Sequence, residues 1–151
     1  MVEVGLVLPI FILTLIAILE FGYFAAVASA ISTASREGAR FGSTVNDPDD
    51  AGPLKPNYLN CTEIIDRAEE LAGPLVDLSG EITVGFDTDG GTNIDVPCTN
   101  GLTASAIDRW DRVIVEVNHA WQPLTPLMGV LIADRTLISI DRRSIVKCDT
   151  C

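Results

Sequence analysis

The chain opens with a nearly continuous run of apolar residues. Residues 4–19 contain no charged side chain, and twelve of the sixteen are Leu, Ile, Val or Phe. Each of these twelve contributes about −0.3 to −0.6 kcal/mol to membrane insertion, which sums to about −4 to −7 kcal/mol. Glu20 opposes insertion by about 2.5 to 3.5 kcal/mol if it sits at the centre of the bilayer. The run should therefore insert into a membrane despite this carboxylate.

The helical pattern continues beyond the length that a membrane requires. A helix over residues 4–35 would be about 48 Å long, against about 30 Å of hydrocarbon. Pro9 should bend or loosen it. Small residues recur at every fourth position, namely Gly22, Ala26, Ala30, Ala34, Gly38 and Gly42. This spacing predicts close packing against identical helices, and because the stripe rotates by about 40° per step, several neighbours or a neighbour plus the soluble domain should share it.

The rest of the chain has the pattern of a small mixed domain. Residues 43–59 contain three prolines and no periodicity, which indicates a loop. A helix should follow, with Asn60 as its N-cap, and should end at Gly73 and Pro74. Its apolar stripe comprises Ile64, Ile65, Ala68 and Leu71. Period-two alternation then predicts four strands, marked by Ile82, Val84 and Phe86, by Ile94 and Val96, by Val113, Val115 and Val117, and by Ile138 and Ile140.

These elements predict an α+β fold, in which a long N-terminal apolar α-helix precedes a small domain with one helix packed on a roughly four-stranded antiparallel β-sheet. We assign residues 1–42 to a membrane or filament-core helix, 43–59 to a linker and 60–151 to an extracellular head domain. Prolines make residues 125–132 a structured loop. A change of parity near Arg142 and Arg143 predicts a β-bulge.

The net charge indicates which partners the chain repels, and the cysteine content indicates the compartment in which the chain folds. The formal net charge of −11 disfavours nucleic acid, because such a surface repels phosphates. Four cysteines outside the apolar helix predict two disulfides in an exported domain, with three connectivities open. We favour Cys61 with Cys98 and Cys148 with Cys151. A redox motif at the second pair and a zinc site of four thiolates are the less favoured alternatives.

Three further patterns are candidate sites. Asp87, Asp89, Asn93 and Asp95 place oxygen atoms at alternate positions, as calcium requires, although a hairpin turn explains the same residues better. Asn60 heads an Asn-Cys-Thr sequon for glycosylation but is also wanted as a helix cap. His119 is the sole histidine, and no catalytic or cofactor fingerprint occurs. We therefore expect no enzyme activity and no cofactor.

Three blocks in the first 42 residues resemble the N-terminal signature of TadE-like pilins of the Tad (Flp) branch of type IV pili. They are Val-Glu-Val-Gly-Leu-Val-Leu-Pro at 2–9, Glu-Phe-Gly at 20–22 and Ala-Ser-Arg-Glu-Gly-Ala-Arg-Phe at 34–41. A weaker similarity covers 111–146, including Gln-Pro-Leu-Thr-Pro-Leu at 122–127. The resemblance implies a prepilin peptidase, membrane storage, and extraction by the pilus assembly machinery into a filament of identical subunits.

Acidic residues on the apolar helix need partners. The resemblance implies that Glu3 neutralises the terminal amine of a neighbour, although that acid is usually the fifth residue. Either the mature chain starts two residues earlier or the spacing differs, and without a basic leader we expect an already processed sequence. A buried Glu20 should meet Arg36 or Arg40 of another subunit, or accept a hydrogen bond from a side chain such as Tyr23.

Other interpretations of the helix and of the function stay open at this point. A cleavable signal peptide would use Ala28-Ser29-Ala30 as its cleavage site, but it would need a basic start and a shorter core. A single-pass anchor needs neither the acids nor the small residues. The favoured function is a structural subunit of an extracellular pilus. The alternatives are a minor pilin, pseudopilin or membrane-anchored adhesin, and, less favoured, a secreted enzyme.

Overall fold

The computed structural model describes residues 2–44, 56–99, 107–108, 110–126, 129 and 135–145. A 42-residue helix α1 (Val2–Ser43) leads through a short 3-10 turn (Asn57–Leu59) to helix α2 (Cys61–Ala72). Four strands follow, β1 (Ile82–Asp87), β2 (Val96–Pro97), β3 (Arg112–Trp121) and β4 (Arg135–Ser144). The predicted α+β class, with one long apolar helix and one helix on a four-stranded antiparallel sheet, is confirmed.

The sheet has the order β2-β1-β3-β4, and all its pairs are antiparallel. β3 and β4 pair without interruption from Arg112 opposite Ser144 to Trp121 opposite Arg135. The predicted bulge near Arg142 and Arg143 is therefore wrong. The parity does not change, because Ile145 has the same parity as Leu137 and Ser139, which face the helices. Ile145 is buried, and its N–H donates to the Asp111 carbonyl at 2.9 Å.

Helix α1 has two halves with different surroundings. From Val27 to Gly42 it packs against α2, β3 and β4, and Val27, Ile31 and Ala34 are buried. Over residues 7–19 the helix continues through Pro9 and protrudes, with all its large apolar side chains except Ile16 45–70% exposed. The segment Val7–Gly42 is long and apolar enough to cross a membrane. The core of the head thus includes the second half of α1, which our sequence-based boundary assigns to the stalk.

Alternating residues of the two central strands form the core that faces the helices. This core comprises Val84, Phe86, Val113, Val115 and Val117 from the sheet, with Ile64 and Ala68 from α2. On β4 the alternation is predicted correctly, but Ile138 and Ile140 point away from α1 and stay 61% and 41% exposed. Ser139, between them, faces α1, where its hydroxyl lies 2.8 Å from that of Ser35.

The short strand β2 excludes Ile94, which the sequence pattern places in a strand. Ile94 instead covers Gly85 on the other face of the sheet, so closely that any Cβ at Gly85 would collide with its side chain. A glycine is therefore needed at this position. The Asp95 N–H still donates to the Phe86 carbonyl at 2.9 Å, so the hairpin connection remains bonded to β1.

A disulfide joins Cys61, the first residue of α2, to Cys98, just after β2, with their Cα atoms 5.7 Å apart. The structure thus contains the first of the two favoured pairings. Cys148 and Cys151, the second predicted pair, lie outside the described residues, as does most of the loop predicted at 125–132.

Candidate functional site

The stripe of small residues on α1 has different neighbours in its N-terminal and C-terminal parts. A Cβ at Gly38 would lie 3.1 Å from the Ala68 Cβ, and one at Gly42 would lie 3.1 Å from side-chain atoms of Ile64 and Val113. These glycines, with the fully buried Ala34, let α1 approach α2 and β3 of its own chain. This part of the stripe thus packs against the head of its own chain, which is one of the two arrangements that the sequence pattern left open.

The N-terminal part of the stripe remains accessible. Gly22 is exposed, and a Cβ built there would meet nothing within 4 Å. Ala26 is half-buried, and Ala30 is partly covered by the core. Gly22 and the apolar residues before it are thus the part of α1 that another helix can approach.

Glu20 lies where the exposed half of α1 meets the sheet. Its side chain is only 2% exposed, because the segment after β3 crosses α1 at this point. Oε1 accepts a hydrogen bond of 2.8 Å from the backbone N–H of Leu124, so within the chain the donor is a backbone amide and not the predicted Tyr23 side chain. Oε2 is buried and accepts no hydrogen bond from any residue that the structure describes.

The predicted basic partners of Glu20 lie elsewhere on the same helix. Arg40 is exposed and forms a loose ion pair with Glu37 at 3.4 Å. Arg36 is exposed as well. A pairing of Glu20 with either arginine of another subunit stays a prediction, and so does the role of Glu3, whose side chain lies outside the described part of the chain.

An apolar groove of about 590 Å³ opens beside Glu20. Phe24 and Trp121 pack edge to face in it, with ring centroids 5.5 Å apart. The indole Nε1 of Trp121 is buried and has no hydrogen-bond partner among the described residues. The lining residues come from α1 and from the facing ends of β3 and β4: Ala17, Glu20, Phe21, Phe24, Trp121, Arg135, Thr136 and Leu137.

Sequence reasoning missed this groove. The sequence identifies Glu20 as a buried carboxylate that needs a partner, but Leu124 is 104 residues away, and no local pattern places Trp121 beside Glu20. Local periodicity gives no information about contacts at that separation. The usable signal is chemical, since a carboxylate in an uncharged apolar run implies a donor somewhere in the fold.

Both carboxylate oxygens of Asp87, the first candidate calcium ligand, accept hydrogen bonds from other residues of the chain. Oδ1 accepts the N–H groups of Asp89 and Gly91, at 3.2 and 2.9 Å, and Arg112 binds Oδ2 with two nitrogens. Burial alone would raise the pKa of Asp87, but the hydrogen bonds from Arg112, Gly91 and Asp89 and the charge of Arg112 together lower it. The favoured hairpin-turn interpretation fits this geometry, and the described residues hold no cluster of three or more metal-binding side chains.

Asn60 and His119 both make structural contacts. The Asn60 side chain accepts from the Glu63 N–H at 3.4 Å and donates to the Glu63 carboxylate at 2.6 Å, so it caps the start of α2. Glycosylation of Asn60 would displace that donor and stays a prediction. His119 Nδ1 lies 2.6 Å from a carboxylate oxygen of Glu81, which ties β3 to the turn before β1.

Comparison with known proteins adds one finding to this geometry. Searches of curated proteins and of solved structures gave no match. A family model described as TadE-like protein matches residues 1–40, which comprise nearly all of α1. The resemblance drawn from the three N-terminal blocks is thereby confirmed, and over its N-terminal helix this chain is similar to TadE-like proteins.

Proposed function

We propose that this chain is a structural subunit, a pilin, of an extracellular Tad-type pilus. It is held in the membrane by α1 and later polymerises through the same helix. The TadE-like match over residues 1–40 supports an association with the Tad pilus. The observation that carries the proposal is the division of α1 into a half that completes the head and a half that protrudes, uncharged, into the surroundings.

The protruding half cannot stay in water at low cost. Nine of its large apolar side chains are 45–70% exposed: Val7, Leu8, Ile10, Phe11, Ile12, Leu13, Leu15, Ile18 and Leu19. Burying one such side chain fully is worth roughly 1.5 to 3 kcal/mol, so lipid or other apolar helices must cover them. A contiguous apolar surface of this size on an exported protein marks a membrane or protein contact.

The length of this half fits both environments in turn. Thirteen residues, 7–19, span about 20 Å, and a full hydrocarbon core of about 30 Å, counted from Val7, would extend to about Ala26. The head touches α1 at Glu20 and buries its apolar side chains from Val27 onward, so the edge of the head would rest directly on the bilayer. Glu20, shielded by the Leu124 N–H, would lie near that boundary, which lowers the cost of its insertion.

The proposed partners follow from the two proposed states of the chain, first inserted in the membrane and then assembled in the filament. They are the membrane and a prepilin peptidase first, then the pilus assembly machinery, and finally identical subunits in a filament on the cell surface. The Cys61–Cys98 disulfide fits an oxidising compartment outside the cytoplasm. The net charge of −11 supports a head that remains soluble and repels nucleic acid.

Quantitative mass spectrometry of sheared surface filaments tests the proposal. The expected result is that this chain makes up most of the protein mass in the sheared fraction. In cells unable to assemble pili it should be found only in membranes. Retention in the membrane of pilus-producing cells, with another protein forming the filament, would reject the structural-subunit role.

A minor pilin or an anchored adhesin is the second candidate, favoured by one feature of the head. Trp110 is 85% exposed next to the start of β3. Large exposed aromatic residues are enriched in binding hot spots. If this candidate holds, Trp110→Ala should abolish attachment to a target while filament number stays normal. For a purely structural subunit, neither property should change.

A further inference from the structure

We propose that the groove beside Glu20 receives helix α1 of a second copy of this chain. The Thr14 hydroxyl of that copy would donate a hydrogen bond to Glu20 Oε2, which is buried in the single chain and would have to turn toward the groove on binding. This inference rests on the proposed function, because it names the contact through which the subunits polymerise. It commits to one occupant of the groove, a segment of the chain itself.

The first argument is the unsatisfied acceptor. Glu20 is 98% removed from solvent, and one of its carboxylate oxygens is bonded while the other has no donor among the described residues. A buried carboxylate oxygen without a partner is costly, and a ligand that brings a donor removes that cost. The groove therefore favours an occupant that is apolar but carries at least one donor.

The second argument is the composition of α1 itself. Thr14 carries the only polar side chain within residues 4–19, so it is the one side-chain donor that this run can offer. Its hydroxyl is exposed and donates to the Ile10 carbonyl at 2.8 Å, an internal bond that can be exchanged for one to a carboxylate. Bonds to a charged acceptor are roughly twice as strong as neutral ones.

The third argument is that Thr14 and Glu20 cannot meet within one chain. They are six residues apart, so they point in directions about 120° apart around the helix and lie about 9 Å apart along it. Each copy thus presents the donor on one side and the acceptor on another. A contact of this kind is head-to-tail, and repeating it produces an open helical filament.

The fourth argument is the fit of the surrounding surfaces. Ile10, Phe11 and Ile18 lie within one turn of Thr14 on the same face and are 57–63% exposed. The groove offers apolar walls on which these side chains can pack, and Ala17 leaves room for the second backbone. With parallel helices and Thr14 opposite Glu20, Phe11 of one copy faces Ala17 of the next, and successive copies are offset by about 9 Å.

Site-specific photocrosslinking tests the contact directly. Phe11→p-benzoylphenylalanine replaces one aromatic side chain by another and is introduced into the full-length chain, which is irradiated in sheared filaments. The expected crosslink joins residue 11 to a peptide of a second copy that contains residues 17–24 or Trp121. The matched control is Phe41→p-benzoylphenylalanine, since Phe41 faces Arg67 of its own head and should crosslink within the chain.

Each outcome of this experiment decides between the inference and the proposed function. Filaments that contain the chain but crosslink residue 11 elsewhere would overturn the groove contact and leave the pilin role standing. If the chain is absent from filaments, the pilin role fails, and the same crosslink is then sought in the detergent-solubilised chain. Crosslinks to lipid alone, in filaments or in detergent, would overturn the inference.

A double-mutant cycle tests the hydrogen bond itself. Thr14→Val should lower filament yield roughly tenfold, the loss expected when a hydrogen bond to a charged group is removed. Thr14→Ser keeps the hydroxyl and should assemble normally. Thr33→Val is the matched control, since Thr33 is exposed on α1, donates to the Ser29 carbonyl at 2.9 Å and lies away from the groove.

The second arm of the cycle uses Glu20→Gln, which should leave the head folded but impair assembly. In that background Thr14→Val should cost clearly less than in the wild type. Equal losses in both backgrounds would mean that the two residues act independently and would overturn the pairing. So would a loss caused by Arg135→Gln but not by Thr14→Val, because Glu20 would then depend on the arginine that lines its own groove.

Discussion

At the scale of single residues, the buried carboxylate of Asp87 stabilises the turn after β1 by accepting hydrogen bonds. The turn after β1 is closed by hydrogen bonds from two backbone amides to Asp87, and Arg112, on the neighbouring strand, completes the arrangement. Its side chain is fully buried, whereas Asp89 in the same turn is exposed. The role of Asp87 in this acidic segment is therefore to stabilise the hairpin turn.

A lowered pKa makes Asp87 a source of pH-dependent stability. Because the folded-state pKa lies below the ordinary value of about 3.9, the stabilisation is fully present above about pH 4 and is lost as the pH falls through the folded pKa. Asp87→Asn should lower the melting temperature of the full-length chain in detergent at pH 7. Its melting temperature should also fall less between pH 5 and pH 2 than that of the wild type.

Asp89→Asn is the control for this measurement, since the exposed Asp89 contributes only its backbone N–H to the turn. It should reproduce the wild-type pH profile. If Asp87→Asn retained the full wild-type dependence on pH, the acid sensitivity would have to arise from other carboxylates.

At the scale of elements, the central finding is that one helix has two kinds of neighbour. Gly38 and Gly42 are small because α2 and β3 lie against them, whereas Gly22 faces open space. A single sequence pattern, one small residue in every four, thus has two physical causes along one helix. The change occurs between Glu20, where the segment after β3 first covers the helix, and Val27, from which apolar side chains of α1 are buried in the head.

Enlarging the two kinds of glycine should have opposite consequences. Gly42→Val would crowd Ile64 and Val113 and should destabilise the head by about 1 to 3 kcal/mol, the usual cost of overpacking. Gly22→Val should leave the melting temperature of the head unchanged, since nothing lies within 4 Å, but should reduce filament yield. Thermal unfolding in detergent and the mass of sheared filaments are the two measurements. A stable Gly42→Val head would contradict the packing described here.

The disulfide is the second feature at this scale, because it ties the start of α2 to the end of the β1–β2 hairpin. The pair Cys61→Ser with Cys98→Ser opens a loop of 37 residues and should lower the free energy of unfolding by roughly 3 to 4 kcal/mol. Denaturant titration of the full-length chain, with and without reductant, measures this loss. If reduction destabilised the double variant as much as the wild type, the effect would have to come from other cysteines.

The element-scale predictions from sequence succeeded where a pattern was local. The cap at Asn60, the stop at Gly73 and the alternation of β1, β3 and β4 all depend on near neighbours along the chain, and each lies where it was predicted. Which face of β4 is covered could not be predicted, because Ile138 and Ile140 look like core residues until α1 is placed on the other face. The same holds for Glu20, whose donor comes from a distant segment.

At the scale of the whole molecule, the head is built around the second half of a helix that is long and apolar enough to cross a membrane. The head cannot be separated from α1 at the predicted linker without removing Val27, Ile31 and Ala34 from its core. The protruding half of α1 and the sheet are therefore mechanically coupled, because a force applied to the protruding half is transmitted through the same helix to the sheet. A filament built through residues 7–19 would carry its heads rigidly and not on flexible tethers.

The most direct test of this account is electron cryo-microscopy of filaments sheared from the producing cells, at a resolution that identifies side chains. The account predicts this chain at every helical position, with residues 7–19 at the filament axis in contact with other copies and the sheet on the outside. Filaments made of a different protein, with this chain confined to the membrane, would contradict it.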